Sequence, residues 1–296
     1  MATDEPGNKR PGNKHSHLVP WRTAGSVSEA WITGDEVVRD TGWVFNNEVG
    51  DLLTLDQFVA SGDAEVKLYM DRFGMRADNP RSQTLLEIGC GIGRMTSAFT
   101  REYDFVIGCD VDPAFLERCR QTVAQKGEVS RLRTSQVRDG HILQEGDDAA
   151  DVVFSYITLQ HCSHDDACDL VREAWRVVKP GGRLVLNFRT WVKKDVVLVP
   201  AGVLVRAIWR IPVIGKRLTG RRWTTRLGWQ ANRLGVAEVL ELLPDVTDPV
   251  IWKHPRRKPT PTPNAQGRNH TTRDLDIANP SHWWFDARKP LALNNQ

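Results

Sequence analysis

A glycine-rich turn is the segment of this sequence with the clearest chemistry. Residues 85–94 read Leu-Leu-Glu-Ile-Gly-Cys-Gly-Ile-Gly-Arg, a short apolar run that leads into three glycines. Glycines let the chain turn sharply, and they let a ligand approach the backbone with no Cβ atom in the way. A dinucleotide fingerprint needs its third glycine at position 94, where this chain has Arg94, and no Gly-Lys-Ser/Thr follows to form a phosphate loop. The turn therefore does not favour a pyrophosphate ligand.

An acidic residue at the end of the next apolar run adds to this site. Asp110 lies 23 positions after Glu87, where a carboxylate can accept hydrogen bonds from both hydroxyls of a ribose. Together with the glycine turn, it predicts a nucleoside site that does not require a phosphate.

The elements that must position these residues follow from the pattern between residues 83 and 189, where short apolar runs alternate with helical patterns. Asp112-Pro113 supplies an N-cap and a first-turn proline, and Lys-Pro-Gly-Gly at 179–182 predicts the end of a helix before the next strand. Buried strands that alternate with helices predict an α/β fold, a doubly wound parallel sheet covered on both faces. The predicted strands are 84–88, 104–109, 151–155, 183–188, 250–253 and 281–288, and the predicted helices are 63–73, 95–100, 113–126, 165–178, 203–211 and 236–243.

Four motifs resemble, in order and spacing, those of the class I S-adenosylmethionine-dependent methyltransferases, above all members that act on small molecules. The resemblance covers about residues 60–190, and the last predicted strand is also similar. It implies a Rossmann-like seven-stranded mixed sheet, S-adenosyl-L-methionine as cofactor and S-adenosyl-L-homocysteine as product. The motifs are 85–94, 106–112, 151–161 and 177–186, with 282–289 as the similar last strand.

The resemblance also implies where the methionine and ribose parts of the cofactor bind. Glu87 would hold the amino end of the cofactor through the turn that contains Cys90, and Asp110 would bind the ribose hydroxyls. The residues that would pass beneath the methionine part are Gly89, Gly91 and Gly93.

The remaining cofactor contacts that the resemblance implies concern the adenine and the sulfonium. Val111 would pack on the adenine ring, and Asp139, which precedes Gly140, matches the acid that commonly accepts the adenine amino group. The alternative for Asp139 is an exposed turn residue. Ser155 and Tyr156, at the end of the fourth strand, would face the sulfonium.

His161 is the candidate catalytic residue. It follows the fourth strand on the side where doubly wound folds bind ligands, and the family often has histidine in this Leu-Gln-His context. A hydroxyl acceptor gains from a general base, so His161 is predicted to accept its proton. The alternative is that His161 caps the following helix or hydrogen-bonds near the cofactor carboxylate.

Metal and disulfide chemistry are not favoured. His164, Asp165 and Asp166 could form an oxygen and nitrogen cluster, but a helix N-terminus favours acids, so we predict a capping role and assign no metal. The five cysteines form an odd set with no C-x-x-C pair, which argues against a disulfide framework and a structural zinc site. A reducing cytoplasm is the predicted location.

An insert at 191–234 concentrates positive charge. Between Lys193 and Arg233 there are ten basic residues and one acid, Asp195, a net charge of +9 in a chain whose total is +3. Residues 196–215 are apolar, but the two arginines among them each cost roughly 2.5 to 3.5 kcal/mol on insertion scales, which argues against a membrane-spanning helix. The insert therefore predicts an acceptor lid or a peripheral membrane contact through 196–226. Its tryptophans could stack on a ring or anchor at an interface; they are Trp191, Trp209, Trp223 and Trp229.

These observations predict an S-adenosylmethionine-dependent transfer of methyl to a small or amphipathic acceptor, at a hydroxyl oxygen, with a saccharide or lipid-linked metabolite as examples. Nucleic acid is not favoured as the partner, because 155–158 lacks the Asn/Asp-Pro-Pro-aromatic signature and no Pro-Cys dipeptide exists. The rivals are an RNA methyltransferase that uses the basic insert and a cofactor-binding protein without activity. The predicted divisions are a tail at 1–20, an N-terminal helical cover at 21–80, a cofactor core at 81–190, the insert at 191–234, and the rest of the sheet at 235–296 with a long loop at 254–273.

Overall fold

The structure is a computed structural model that describes residues 33–42, 50–209, 211, 214, 227, 232–255, 270–277 and 279–291. The predicted tail at 1–20 lies outside the described residues. The helices are α1 (Gly34–Thr41), α2 (Leu55–Arg72), α3 (Thr96–Glu102), α4 (Pro113–Lys126), α5 (His164–Val177), α6 (Asp195–Trp209) and α7 (Val236–Leu242). The strands are β1 (Thr84–Ile88), β2 (Phe105–Asp110), β3 (Leu132–Gln136), β4 (Ala150–Ser155), β5 (Val178–Arg189), β6 (Val250–Lys253), β7 (Thr271–Asp274) and β8 (His282–Arg288).

The strands form one mixed sheet in the order β3-β2-β1-β4-β5-β8-β6-β7. Strands β1 to β5 pair in parallel, while β8 runs antiparallel to both β5 and β6. The predicted α/β doubly wound fold is confirmed, with eight strands among the described residues instead of seven.

The sheet contains two edge strands that the apolar pattern did not reveal. All four residues of β7 are exposed, so the strand shows no alternation of buried and exposed positions. Residues 271–273 of this strand were predicted to belong to the loop 254–273, and that prediction is wrong for them. Residues 256–269 of the predicted loop fall outside the described part. Strand β3 has only one buried residue, Ser135, and is therefore equally hard to detect.

Both faces of the sheet are covered by apolar clusters. One cluster packs α5 and α7 against strand residues such as Ile88 and Phe285. The other packs α2 and α3 against Leu85, Phe154 and Trp284 on the opposite face. Side chains alternate along each strand, so neighbouring residues enter opposite clusters. This arrangement holds the carboxyl ends of the central strands in place.

Helix α2 is the longest helix in the described part of the predicted N-terminal cover at 21–80. It begins at Leu55, eight residues before the predicted start at 63, because Thr54 and Gln57 form a capping box. At Gly62 the helix lies directly on the chain after the glycine turn, since a Cβ atom there would come 2.1 Å from the carbonyl oxygen of Arg94. A side chain at position 62 would therefore separate the cover from the turn.

The helix before the Lys-Pro-Gly-Gly run ends within one residue of its predicted end, but the prediction that the run lies before the next strand is wrong. Helix α5 ends at Val177, and residues 179–182 lie inside β5, where the register against β4 shifts between Ala150 and Val152. Gly181 has a φ of 78°, which a residue with a Cβ atom rarely adopts. The run therefore forms an irregular start to the strand.

Helix α6 is longer than the predicted helix at 203–211. It begins at Asp195, contains Pro200, and ends at Trp209, whereas Arg210 lies outside the described residues. Within the described part of the chain, no helix combines the length and apolar character needed to cross a membrane.

Candidate active site

Three neighbouring strands end at the same edge of the sheet and carry most of the predicted cofactor residues. Ile88 of β1 is paired with Cys109 of β2 on one side and with Ser155 of β4 on the other. Because these strands are parallel, the chain leaves all three at one edge, and Asp110 and the glycine turn meet there. Ligands of doubly wound folds bind outside this edge.

Asp110 is buried and faces the glycine turn. Its Oδ2 accepts a hydrogen bond from the Gly91 N–H at 3.0 Å, and its Oδ1 accepts one from the Asp112 N–H at 3.0 Å. Burial raises the pKa of Asp110 to about 6, although these backbone donors oppose the shift. A carboxylate has about four acceptor sites, so the two hydrogen bonds leave lone pairs for ribose hydroxyls.

Two glycines of the turn have different roles. Gly89, with a φ of 82°, lies against the segment after β4, since a Cβ atom there would come 2.1 Å from Thr158 Oγ1. Gly91 has a φ of 53°, and apart from its chain neighbours no atom of the described residues lies within 4 Å of the place where its Cβ would be. The first glycine therefore closes the turn onto the protein, and the second leaves open space above it for a ligand.

Glu87 lies in β1 just before the turn, and Cys90 is part of the turn. The Glu87 carboxylate is buried and accepts a hydrogen bond from the Thr96 hydroxyl at 2.7 Å, and burial raises its pKa to about 7. Cys90 packs with Leu116 and Cys119 in a small apolar cluster. Contact of Glu87 with the amino end of the cofactor stays a prediction.

The predicted adenine contacts border the end of β2. The Val137 N–H donates to the Asp110 carbonyl oxygen at 2.9 Å, which brings the segment after β3 alongside. Asp139 is exposed with a φ of 51°, and Gly140 is buried with a φ of 84°. Val111 is half-buried on the α5 side of the sheet. Val111 follows Asp110 directly, and Asp139 and Gly140 come just after Val137, which is hydrogen-bonded to Asp110. The contacts of all three residues with adenine stay predictions.

Ser155 and Tyr156 are both held by the protein. The Ser155 hydroxyl donates to the Ile88 carbonyl oxygen at 3.1 Å, between β1 and β4. The Tyr156 ring stacks on Trp284 with centroids 5.2 Å apart, and its hydroxyl lies 3.5 Å from Glu65. Burial raises the pKa of Tyr156 to about 12, so its hydroxyl stays protonated. That Ser155 and Tyr156 face the sulfonium of the cofactor stays a prediction.

Arg94 is a site residue that the sequence analysis did not assign. Its guanidinium lies 2.8 Å from Glu65 of α2 and 5.8 Å from the ring centroids of both Phe58 and Tyr156. It therefore ties the helical cover to the chain just after the turn. The only sequence signal was the replacement of a third glycine by arginine.

His161 ends a short 3-10 turn, Leu159–His161, beyond β4. Its Nε2 lies 3.1 Å from Gln160 Nε2, and Gln160 Oε1 lies 2.9 Å from Nε2 of His282. Burial, and then the positive charge of Arg189, lowers the pKa of His161 to about 3 and that of His282 to about 4. Both imidazoles are therefore neutral at neutral pH.

A buried carboxylate connects this region to the insert. Asp195, at the start of α6, is fully buried and accepts hydrogen bonds from Arg189 at 3.1 Å and from Arg233 at 2.7 Å. The Arg233 guanidinium also lies 4.8 Å from the ring centroid of Trp191. Gln160, Arg189, Asp195 and His282 were not assigned by sequence analysis, because they come from four separate segments.

The predicted capping role of the acids after His161 agrees in part with the structure. Ser163 is the N-cap of α5, since its hydroxyl accepts from the Asp166 N–H at 3.1 Å. Asp165 and Asp166 lie in the first turn of the helix, as predicted. The Asp166 carboxylate also lies 3.2 Å from Nδ1 of His141.

Residues 86–186 match a family model described as a methyltransferase domain. The match includes the glycine turn, Asp110 and the segment up to His161, which are the residues that the geometry brings to one edge. This match, which covers less than half of the chain, supports the resemblance to the class I S-adenosylmethionine-dependent methyltransferases, and S-adenosylmethionine is the cofactor that the resemblance implies. The open turn at Gly91 and the acceptor capacity of Asp110 fit that cofactor.

Similar proteins of known function align with about half of this chain, and the chain spans 40% to 60% of their own length. The 2-methyl-6-phytyl-1,4-hydroquinone methyltransferase of Synechocystis sp. is 30% identical over 47% of this chain and 40% of its own length. The ubiquinone/menaquinone biosynthesis C-methyltransferase of Vibrio campbellii is 28% identical over 53% of this chain and 60% of its own length. A solved O-methyltransferase family protein from Burkholderia thailandensis has a TM-score of 0.48 at 13% identity, covering 92% of this chain and 69% of that one.

Proposed function

We propose that this protein transfers the methyl group of S-adenosylmethionine to a small or amphipathic acceptor that carries an acidic hydroxyl group. The observation that carries the proposal is that one sheet edge holds both the open turn with Asp110 and, beyond β4, the neutral imidazole of His161. The cofactor, when bound, supplies an electrophilic methyl group. The chain must then position the acceptor in line with it, and positioning can contribute up to about 7 to 11 kcal/mol.

The low pKa of His161 restricts the kind of acceptor. A phenol has a pKa of about 10, so complete proton transfer to an imidazole with a pKa of about 3 would cost on the order of 9 kcal/mol. The proton must therefore move as the new bond forms, or the acceptor must bind with its oxygen already ionised. The positive charge of Arg189, which already acts on His161, would stabilise such an oxygen.

An ionised phenol-type acceptor has two nucleophilic positions, the oxygen and the ring carbons next to it. The same arrangement of His161 and Arg189 therefore supports methylation at either atom. The hydroquinone and C-methyltransferase names of two similar proteins favour testing carbon beside the predicted hydroxyl oxygen. We propose oxygen as the methylated atom, in line with the sequence-based prediction that His161 assists removal of the proton from a hydroxyl acceptor.

Exposed side chains on α6 support an amphipathic acceptor and a peripheral membrane contact. Five apolar residues of this helix have between 44% and 72% of their surface exposed. An apolar helix face beside a strongly basic segment favours the surface of an anionic membrane. The five residues are Val196, Val197, Leu198, Val203 and Leu204.

Liposome binding tests the membrane part of the proposal. Binding to vesicles with anionic lipid should exceed binding to neutral vesicles and should fall at high salt. Leu204→Asp should weaken it, whereas Leu52→Asp, which changes an exposed leucine outside α6, should not. Equal effects of the two substitutions would contradict a contact through α6.

Calorimetric titration with S-adenosylhomocysteine tests the cofactor part. Asp110→Asn should weaken binding by at least about a hundredfold, since two hydrogen bonds to a charged group contribute about 1.5 to 3 kcal/mol each. Asp104→Asn is the matched control, because Asp104 is exposed just before the other end of β2. Equal binding by both variants would contradict the assignment of Asp110.

Product analysis tests the acceptor. With 13C-methyl cofactor and a panel of phenols, hydroquinones and matched compounds without a hydroxyl, we expect an oxygen-bound methyl signal only from acceptors with a hydroxyl. A carbon-bound methyl would retain the acceptor class but correct the atom. Methylation of the compounds without a hydroxyl would contradict the proposal, and binding without turnover would support the non-catalytic alternative.

A further inference from the structure

Helices α5 and α7 bring together a histidine, a cysteine and a carboxylate outside the cofactor site. His164 and Cys168 lie four residues apart on one face of α5, and Glu238 comes from α7. One ligand atom from each of the three lies within 4.8 Å of the other two. The His164 side chain is 57% exposed and that of Glu238 is 36% exposed, so solvent reaches the group.

The Glu238 carboxylate fixes the orientation of the His164 ring. Its Oε1 lies 2.6 Å from His164 Nε2, and its Oε2 accepts a hydrogen bond from the Gly235 N–H at 3.3 Å. With Nε2–H donating to a carboxylate, the lone pair of the neutral ring is on Nδ1. This is the arrangement by which histidine ligands of metals are commonly held.

Two further ligand atoms lie on the Nδ1 side of the ring. Cys168 Sγ is 3.8 Å from Nδ1, and Asp165 Oδ1 is 3.6 Å from the same atom. In a tetrahedral zinc site with Zn–N and Zn–O of about 2.0 Å and Zn–S of about 2.3 Å, neighbouring ligand atoms lie roughly 3.3 to 3.5 Å apart. Shifts of about 0.3 Å would therefore bring the sulfur and the carboxylate oxygen to these separations from Nδ1, and rotation of the exposed Asp165 side chain would have to bring its oxygen toward the Cys168 sulfur.

We propose that His164 Nδ1, Cys168 Sγ and Asp165 form a binding site for zinc or a similar divalent cation, with Glu238 as the positioning residue. Water would complete the four-coordinate shell, and the thiol proton would be released on binding. The positive end of the α5 dipole opposes a cation, but its effect is weak and confined to the first turn. It is small beside the free energy that zinc coordination provides.

A nucleophilic cysteine is the main alternative explanation of the same residues. Burial raises the pKa of the Cys168 thiol, and the Glu238 carboxylate raises it further. A thiol nucleophile requires the opposite shift. A bound cation displaces the thiol proton directly, so the raised pKa does not prevent coordination.

The position of the site suggests what the cation would do. Asn232, just before α7, donates its backbone N–H to the Gln160 carbonyl oxygen at 2.5 Å. The cation would be bound by residues of α5, and Glu238 of α7 would orient one of its ligands, His164. It would therefore hold α5 and α7 together and strengthen the hydrogen bond between Asn232 and Gln160. We therefore expect the site to stabilise the fold and not to take part in methyl transfer.

Cobalt(II) titration of the full chain under thiol-free reducing conditions tests the proposal. We expect one equivalent to produce a near-ultraviolet thiolate-to-cobalt charge-transfer band, zinc to remove it by competition, and zinc to raise the melting temperature. Cys168→Ser should abolish the band, while the control Cys162→Ser should retain it. Absence of the band in the unchanged protein, or its persistence in Cys168→Ser, would overturn the site.

Variants of the remaining residues test their separate roles. Glu238→Ala should weaken cobalt binding by about 10- to 100-fold, whereas Glu238→Gln, whose amide oxygen still accepts from Nε2–H, should restore most of it. Equal losses in both would overturn the positioning role. Asp165→Asn should weaken binding, and Asp169→Asn, a half-buried acid one turn further along α5, should not. Circular dichroism without metal confirms that each variant is folded.

Discussion

The two halves of the sheet edge are built in different ways. On the cofactor side, backbone N–H groups that lie within about 20 residues of Asp110 hold its carboxylate. On the proposed acceptor side, around His161, side chains hold one another across long sequence separations, as Gln160 and His282 do over 122 residues. A backbone-built site depends on local chain geometry, whereas a side-chain network depends on the packing of the whole domain. Substitutions in the two halves should therefore fail in different ways.

The largest expected effect is on the acceptor side, at Asp195. Removing one partner of a buried charge network costs about 3 to 5 kcal/mol, because the remaining charges lose their compensation. Asp195→Ala should therefore lower the free energy of unfolding by about that amount, measured by urea denaturation. S-adenosylhomocysteine binding by the folded fraction should be retained.

Asp169→Ala is the matched control for Asp195→Ala. Asp169 is in an ion pair with Arg172 at 2.8 Å, but the arginine side chain is 55% exposed. Exposed pairs contribute at most about 1 kcal/mol. If both variants lost similar stability, the buried network would not be what attaches the insert to the core.

A somewhat smaller effect is expected on the cofactor side, from a comparison of two glycines. Gly89→Ala adds a Cβ atom at 2.1 Å from Thr158 Oγ1 and must keep a φ of 82°. Strain of about 1 to 2 kcal/mol and overpacking of about 1 to 3 kcal/mol should together lower stability by about 2 to 5 kcal/mol. In the described part of the chain, the Cβ of Gly91→Ala meets no atom within 4 Å beyond its chain neighbours, so the substitution should cost only the strain.

In ligand binding the order of the two glycine variants should be reversed, with Gly91→Ala affected more than Gly89→Ala. Gly91→Ala places a methyl group in the open space above the turn, so titration of the folded protein should show weaker S-adenosylhomocysteine binding. Thermal unfolding and calorimetry on both variants separate the two effects. Normal binding by Gly91→Ala would show that the ligand does not approach the turn at this residue.

Sequence analysis anticipated the cofactor half far better than the proposed acceptor half, because local backbone geometry leaves a sequence signal and long-range side-chain contacts do not. Strand β1 and helix α4 have their predicted bounds, and the turn and Asp110 are brought together, because apolar runs and glycines are local signals. Arg94 with Glu65, and Gln160 with His282, carried no local signal. Their pairing depends on how α2, β4 and β8 pack, which the sequence pattern does not specify residue by residue.

The same reasoning explains the missed edge strands. β7 has no buried face, so its formation depends on backbone pairing with β6 and leaves no apolar alternation. The resemblance to the methyltransferases supplied the mixed sheet and the cofactor. It could not supply the contacts of Asp195, because these involve the insert, where the resemblance ends.

A pH dependence separates the two halves further. Asp110 and Glu87 have pKa values raised by burial to about 6 and about 7, so both become ionised as the pH rises through that range. Ionised carboxylates bind the ribose hydroxyls and the cofactor amino group better, so S-adenosylhomocysteine affinity should rise from pH 5 to pH 8. The rise should approach tenfold per pH unit for each group below its pKa. Glu87→Gln should remove the component near pH 7 and leave the one near pH 6.

The smallest expected effect concerns Gln160, which joins the two histidines of the acceptor half. Gln160→Leu removes hydrogen bonds whose net contribution is about 0.5 to 1.5 kcal/mol each, so stability should fall only modestly. With His282 and Gln160 no longer linked, the His161 ring loses its orientation, and the rate of methyl transfer should fall while S-adenosylhomocysteine affinity stays the same.

Gln160→Glu is the informative second variant. Its carboxylate would favour protonated His161 and shift the acidic limb of the pH–rate profile to higher pH. An unchanged profile in Gln160→Glu would mean that His161 takes no part in the proton transfer, and the acceptor would then have to bind as the anion.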